Sequence, residues 1–496
     1  MTAVIEGPGW SARGLDQRSG RYPLAVEGPV LRAVDVLVPG VSTVTWFVRY
    51  YALYAALGAH AERHGLGAEA CRNLLRRSEV VMAGVSELFD QGVVAHGADR
   101  VRPWLDDVLD VAGAAASYSP RAWGFWERYG GPGQVLGSVA VEDGALRPGR
   151  HSCPEEVRGL FAPLFEAAGR DRLDFGELEG LEPLALSGAE RPENPWMRDL
   201  FTATRRGRHD PGVWEADDLR RRGAMRMVLR SLVLNGGRGD GESWEDVVRS
   251  VVAFGNRAAT DPVLASIREV PDWRGVLLRH YSVGAWRRLW AALAATIGRD
   301  GEDADRSHRE LRDWLADRMP DQTVRAFLDE LPATMVGGHP APIERAVLTV
   351  GDADDPLTNV RLLLVGGRRG AELEGGTRAA FLGARHDILN PEWVRLRTED
   401  FLDRPLRELA AGLVDDMLAQ ARRVALAGMA PDPSGRLRVF SQVHERNGRY
   451  YRAGDEGTAE PEPRIGRLAS FARQLGLVDE GGAVLPLGAE LLGVGA

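Results

Sequence analysis

Lysine is absent from all 496 residues, so the 62 basic side chains are arginines without exception. That absence removes a phosphate-loop lysine, a Schiff-base lysine, the kinase strand lysine and any Ser-Lys dyad. Nucleases that set a lysine beside paired carboxylates go with them. The bias fits a GC-rich coding genome, and the chemical exclusion holds whatever its origin. Cysteine is nearly absent too: Cys71 and Cys153 stand far apart and read as buried free thiols rather than a metal cluster. No apolar run approaches the roughly 18 residues of a membrane span, and the N-terminus lacks the basic-then-apolar pattern of an export signal. The expectation is a cytoplasmic protein without membrane contact. Positive charge is in deficit as well. A net charge of −9 and a pI near 5.7 give no whole-molecule attraction to nucleic acid, which leaves only a local patch for that purpose.

What is present is globular in character, with 44% hydrophobic and 27% charged residues. The length suffices for two to four domains of roughly 100–200 residues each. Apolar residues recur at three- and four-residue steps through most of the chain. This predicts a mainly α, multi-domain helical protein with two winged-helix-like modules carrying small β-hairpins. The expected division is an N-terminal arm over 1–25, then a helical domain over 26–152 that ends in the first module. A helical middle domain over 153–345, a small α/β segment and long helix over 346–430, and the second module over 431–496 complete it.

The most organised stretch lies near the start. Pro39-Gly40 is turn chemistry, Ser42 or Thr43 can cap the helix that follows, and Val44, Phe47, Val48, Tyr51, Leu53, Tyr54 and Leu57 give that helix a wide face for burial. Arg49 inside this run must find acceptors or reach water. Either it pairs within a core, or Arg49 and Tyr50 belong to a partner-binding site. The run Leu37-Val38-Pro39-Gly40-Val41-Ser42-Thr43-Val44-Thr45, followed by Arg49-Tyr50-Tyr51, resembles the N-terminal signature of an uncharacterised bacterial family. Members are often encoded near helicase or ATPase genes of phage-defence or DNA-processing clusters. The resemblance implies helicase or ATPase partner proteins and carries over no catalytic residue.

Two later stretches share a design. Ser119-Pro120 opens an aromatic helix with Trp123, Phe125, Trp126 and Tyr129, which Gly130-Gly131-Pro132-Gly133 is expected to stop; Trp123 and Trp126 are candidates for partner contact. A hairpin through Glu142-Asp143-Gly144 follows. At the C-terminus, the helix over 464–475 leads through Asp479-Glu480-Gly481-Gly482 to a strand near Val484 and a closing helix. Both resemble the winged helix. Between them, Ala346–Val350 and Asn359–Val365 read as strands around the acidic turn 351–356, and Asp403 reads as the cap of a long helix. The glycine-rich loop Asn235–Gly241 precedes a Ser243/Asp246 capping box and is open to phosphate on paper. His60 and His64 stand four apart, but Glu62 falls on the opposite side of the helix from a zinc-protease base.

These features support a non-enzymatic DNA-binding or adaptor subunit of a bacterial DNA-processing or phage-defence assembly. Its double-stranded DNA contacts would come from Arg464, Arg467, Ser470, Arg473 and Gln474 on one helix, with Arg449 on the phosphate backbone. The alternatives are a nuclease-like hydrolytic enzyme assembled from dispersed groups such as His280, His339, His386 and Asp387, or a protein-interaction scaffold. Neither a catalytic set, a metal site nor a cofactor site is predicted.

Overall fold

The computed structural model describes residues 22–493 apart from 91, 122–123, 188–190, 206–208, 299–304, 384–387, 432–434, 436 and 439–440. Helix accounts for 59% of it, and among the described residues there are 24 α-helices and only antiparallel sheets of two or three strands. The protein is therefore mainly α and multi-domain. Its contacts form two units, each assembled from separated stretches. The first runs up to Val34 and resumes over Arg249–Pro463; the second comprises Asp35–Val248 and Arg464 onward. Trp123, His386, Asp387 and most of the arm expected over 1–25 lie outside the described residues.

In the first unit the 26-residue helix Val270–Ala295 is buried along almost its whole length. It has no polar stripe to turn outward because helices Pro356–Glu372 and Gly375–Leu382 lie against it. Two of the arginines this run carries pair internally. Arg287 bonds Glu27 at 2.5 Å, and Arg288 bonds Asn359 at 2.8 Å and also reaches Glu460. Helix Leu406–Ala427 packs on His308–Ala316. A three-stranded sheet stands beside it, in the order Val443–Arg446, Arg449–Arg452, Arg306–Ser307. Its hairpin turns through Asn447-Gly448, both with positive φ, as a two-residue turn matched to strand twist requires.

Both strands expected between 346 and 365 are helices instead: Ile343–Val350 and Pro356–Glu372. Short apolar runs carry no period of their own, and here the caps decide. Asp355 accepts from the backbone of Leu357 and Thr358, and Pro356 occupies the first turn. Asp403 does not cap Leu406–Ala427; Pro405 stands at the N-cap and Asp403 pairs with Arg325 at 2.9 Å.

The second unit centres on helix Val48–Arg63, buried on nearly every side. Ala68–Phe89 and Glu155–Ala168 pack near it, and the hairpin of Val139–Glu142 with Ala145–Pro148 lies directly on it. At Gly58 a Cβ would come within 2.7 Å of the Arg147 carbonyl oxygen, so only glycine allows this approach. The helix starts at Val48 rather than near Ser42 because Ser42 and Thr45 close on each other. Thr45 Oγ1 accepts from Ser42 N at 3.1 Å and donates to Ser42 O at 2.9 Å. Gly130–Leu136 is a helix, not a stop: Pro132 sits in its first turn and Gly137, at φ 74°, ends it. The second β feature is smaller than expected. Between helices Ile465–Gln474 and Pro486–Leu492 a single antiparallel bridge, Val478 to Val484, replaces a hairpin.

Candidate functional site

Arg49 faces inward in the second unit and is fully buried. Its Nε meets Glu193 at 2.7 Å, and Nη1 donates to the carbonyls of Pro183 at 2.8 Å and Ala185 at 2.5 Å. Tyr50, stacked on His96 at 4.4 Å, is equally buried, and Trp126 is half-buried against Phe125. Glu79 lies at the centre of this aromatic cluster, accepting from Tyr54 Oη and Phe125 N at 2.7 Å each. Burial pushes its carboxyl up to about 7, and burial lowers His96 to about 3. Packing, not exposure, governs these groups.

The C-terminal helix turns most of its expected DNA-reading side chains onto the signature segment. Arg464 donates to Val41 O at 2.8 Å and pairs with Asp35. The Arg467 guanidinium lies 3.5 Å from the centroid of the Trp46 ring and donates to Thr43 O at 3.2 Å. Gln474 accepts from Val48 N and donates to Trp46 O, both at 2.9 Å, and reaches Ser470 Oγ at 3.3 Å. Arg473 faces solvent, 3.6 Å from Glu480. Arg449 belongs to the first unit, where Asp305 at 2.6 Å, then its charge and that of Glu310, raise its guanidinium.

A trough in the first unit gathers a different set. Helix Leu406–Ala427 turns Asp415, Leu418, Arg422, Ala425 and Leu426 to one side of a cavity of about 650 Å³, and Trp290, His308 and Tyr450 help to close it. Opposite stands Val443–Arg446, the outer strand of its sheet among the described residues. Val443, His444 and Glu445 all border the cavity. Tyr450, opposite Glu445 on the middle strand, borders it too, so two strands of the sheet contribute to this wall. Asp415 is shared by His308 Nε2 at 2.9 Å and Arg312 at 3.4 Å, while Arg422 spans to Glu445 at 3.5 Å. Burial, then the Glu445 charge, raises the Tyr450 phenol.

No family model, curated protein or solved structure matches this chain.

Of the groups named for a hydrolytic centre, His280 pairs with Glu460 at 2.9 Å and His339 sits in the two-residue strand His339–Pro340. The trough brings together His308, His444, Asp415 and Glu445 instead, which no local motif announces. In the glycine-rich loop, the amide of Gly239 is taken by the Glu242 carboxylate at 3.2 Å, which fills a phosphate's place. The rings of His60 and His64 lie 4.3 Å apart and tilted, and among the described residues no group of three or more His, Cys, Asp or Glu is placed to hold a metal.

Proposed function

We propose that this chain is an adaptor subunit of a bacterial DNA-processing or phage-defence assembly, and that it holds an extended segment of a partner protein in the trough of the first unit. The observation that carries this reading is the trough of about 650 Å³ between helix Leu406–Ala427 and strand Val443–Arg446, with apolar side chains of the helix along it. An extended segment laid in it would set alternate apolar side chains against that helix. Leu426, 51% exposed, and the neighbouring Ala425 offer that apolar ground. A helicase or ATPase encoded nearby, the partner the signature resemblance implies, would supply the segment.

The test is co-expression with that neighbouring protein. A complex isolated in fixed stoichiometry is expected with the wild-type chain and is expected to be lost with Ala425→Arg or Leu426→Arg, while the melting temperature stays within a few degrees. A complex indifferent to both substitutions, or none at all, would sink the reading.

A further inference from the structure

The first described stretch of the chain is pinned in the first unit on the same elements that wall the trough. The Arg287 guanidinium lies 5.5 Å from the centroid of the Tyr22 ring, and Gln420 Nε2 donates to Leu24 O at 2.8 Å. Trp290 follows Arg287 by three residues, about 4.5 Å along the helix axis, and Ala419 and Ala421 flank Gln420. All three border the cavity. Gln420 itself looks to the far side of its helix, about 200° around from Leu418. A chain leaving Tyr22 thus has on the order of one helix diameter, roughly 10 Å, to round before it meets the trough.

Residues 1–21 precede Tyr22 and lie outside the described residues. Met1, Thr2, Ala3, Val4 and Ile5 are their longest run free of charge, glycine and proline. Val4 and Ile5 are also strand formers. From 6 to 21, four glycines, Pro8, Glu6, Asp16 and three arginines interrupt every other run. Those 16 residues reach up to about 50 Å when extended, several times the detour around the helix.

The trough is matched to such a run. Asp415 is engaged with His308 and Arg312, and Arg422 with Glu445, so these charges are met from within and an incoming charge gains little from them. Leu418, Ala425, Leu426, Met429 and Trp290 reward uncharged side chains instead. From Asp415 to Met429 the wall is about 21 Å long, and five extended residues at about 3.3 Å each cover most of it.

We propose that residues 2–5 lie in the trough of their own molecule and are displaced when a partner segment docks, an autoinhibitory contact. The occupancy stands on the attachment, reach and charge pattern of the arm; the displacement rests on the adaptor reading. A tether of this length holds its end at roughly millimolar effective concentration. An arm with an intrinsic Kd of about 0.1 mM then fills the trough about nine-tenths of the time and weakens a competitor about tenfold. Only a tight or locally concentrated partner opens it.

The test is a crosslink within the full chain, whose own thiols, Cys71 and Cys153, are buried. With copper-phenanthroline as oxidant, I5C/L426C is expected to form its disulfide at least tenfold faster than I5C/V350C. Val350 is 89% exposed in the same unit and does not border the trough. A second measurement is fluorescence anisotropy of a labelled peptide of residues 1–10 added in trans. V4D/I5D expels the resident run, so the peptide is expected to bind that variant about tenfold more tightly than wild type, with the melting temperature unchanged. Adding Leu426→Arg should abolish the gain. Equal crosslinking at the two sites, or peptide affinity that V4D/I5D leaves unchanged, would overturn the proposal whatever co-expression with the neighbouring protein shows. A fast crosslink beside a failed co-expression would support the occupancy and remove only the adaptor reading.

Discussion

Arg49 is the residue around which the sequence posed its sharpest choice, core or contact, and its geometry answers in favour of the core. A buried guanidinium paired with Glu193 and two carbonyls is costly to halve. Removing one partner strands the other charge, at about 3–5 kcal/mol. Arg49→Met should therefore lower the denaturant midpoint steeply, and adding Glu193→Leu should recover much of the loss. If the double variant were no better than the single, the charge pairing would not be what holds this point. The same cluster makes a pH prediction. Glu79 titrates near 4.5 when unfolded and about 7 when folded, so the native state holds the extra proton and stability falls as pH rises across that interval. His96 goes from 6.5 unfolded to about 3 folded, so its contribution is lost as pH falls below 6.5. The two slopes, each about 1.4 kcal/mol per pH unit, oppose each other between roughly pH 4.5 and 6.5. Glu79→Gln should uncover the His96 slope, and relative to wild type its stability should climb by about 3 kcal/mol from pH 4.5 to 7.5. A difference that stayed constant with pH would refute the assignment.

Among the elements, those with a strong period were legible from residues alone. Leu406–Ala427 falls where the long helix of 346–430 was expected because about six turns of consistent spacing outweigh local signals. Where the runs were short, the cap chemistry was the better guide. Asp355-Pro356 marked a helix start in plain view, and Asp355→Ala is expected to cost about 1 kcal/mol in chemical denaturation, with no effect if the strand reading were right. The start of Val48–Arg63 could not have been read locally. Its first amides are satisfied from far away: Tyr129 Oη accepts from Trp46 N at 3.0 Å and Phe47 N at 2.9 Å, and Gln474 takes Val48 N. Phe47 at the N-cap has no oxygen to offer. Tyr129→Phe leaves two donors without that acceptor and should cost about 1–3 kcal/mol. Hydrogen exchange at Trp46 and Phe47 should quicken with it, more than at amides in the middle of the helix.

For the molecule as a whole, composition set the class, a mainly α protein of more than one unit, but could not say which stretches belong together. Sequence proximity suggested consecutive segments, whereas contact follows chain returns that leave no trace in spacing. The same limit hid the trough. His308 and Asp415 meet only because helix His308–Ala316 packs on Leu406–Ala427, and neither has a neighbour that hints at the other.

The return of Arg464 onward to a unit that opens at Asp35 has a consequence for synthesis. Helix Val48–Arg63 leaves the ribosome hundreds of residues before the glutamine that seals its first turn. Throughout that interval its aromatic faces need either shielding or patience, and a ribosome that stalls late would release a chain in which that helix has never been finished.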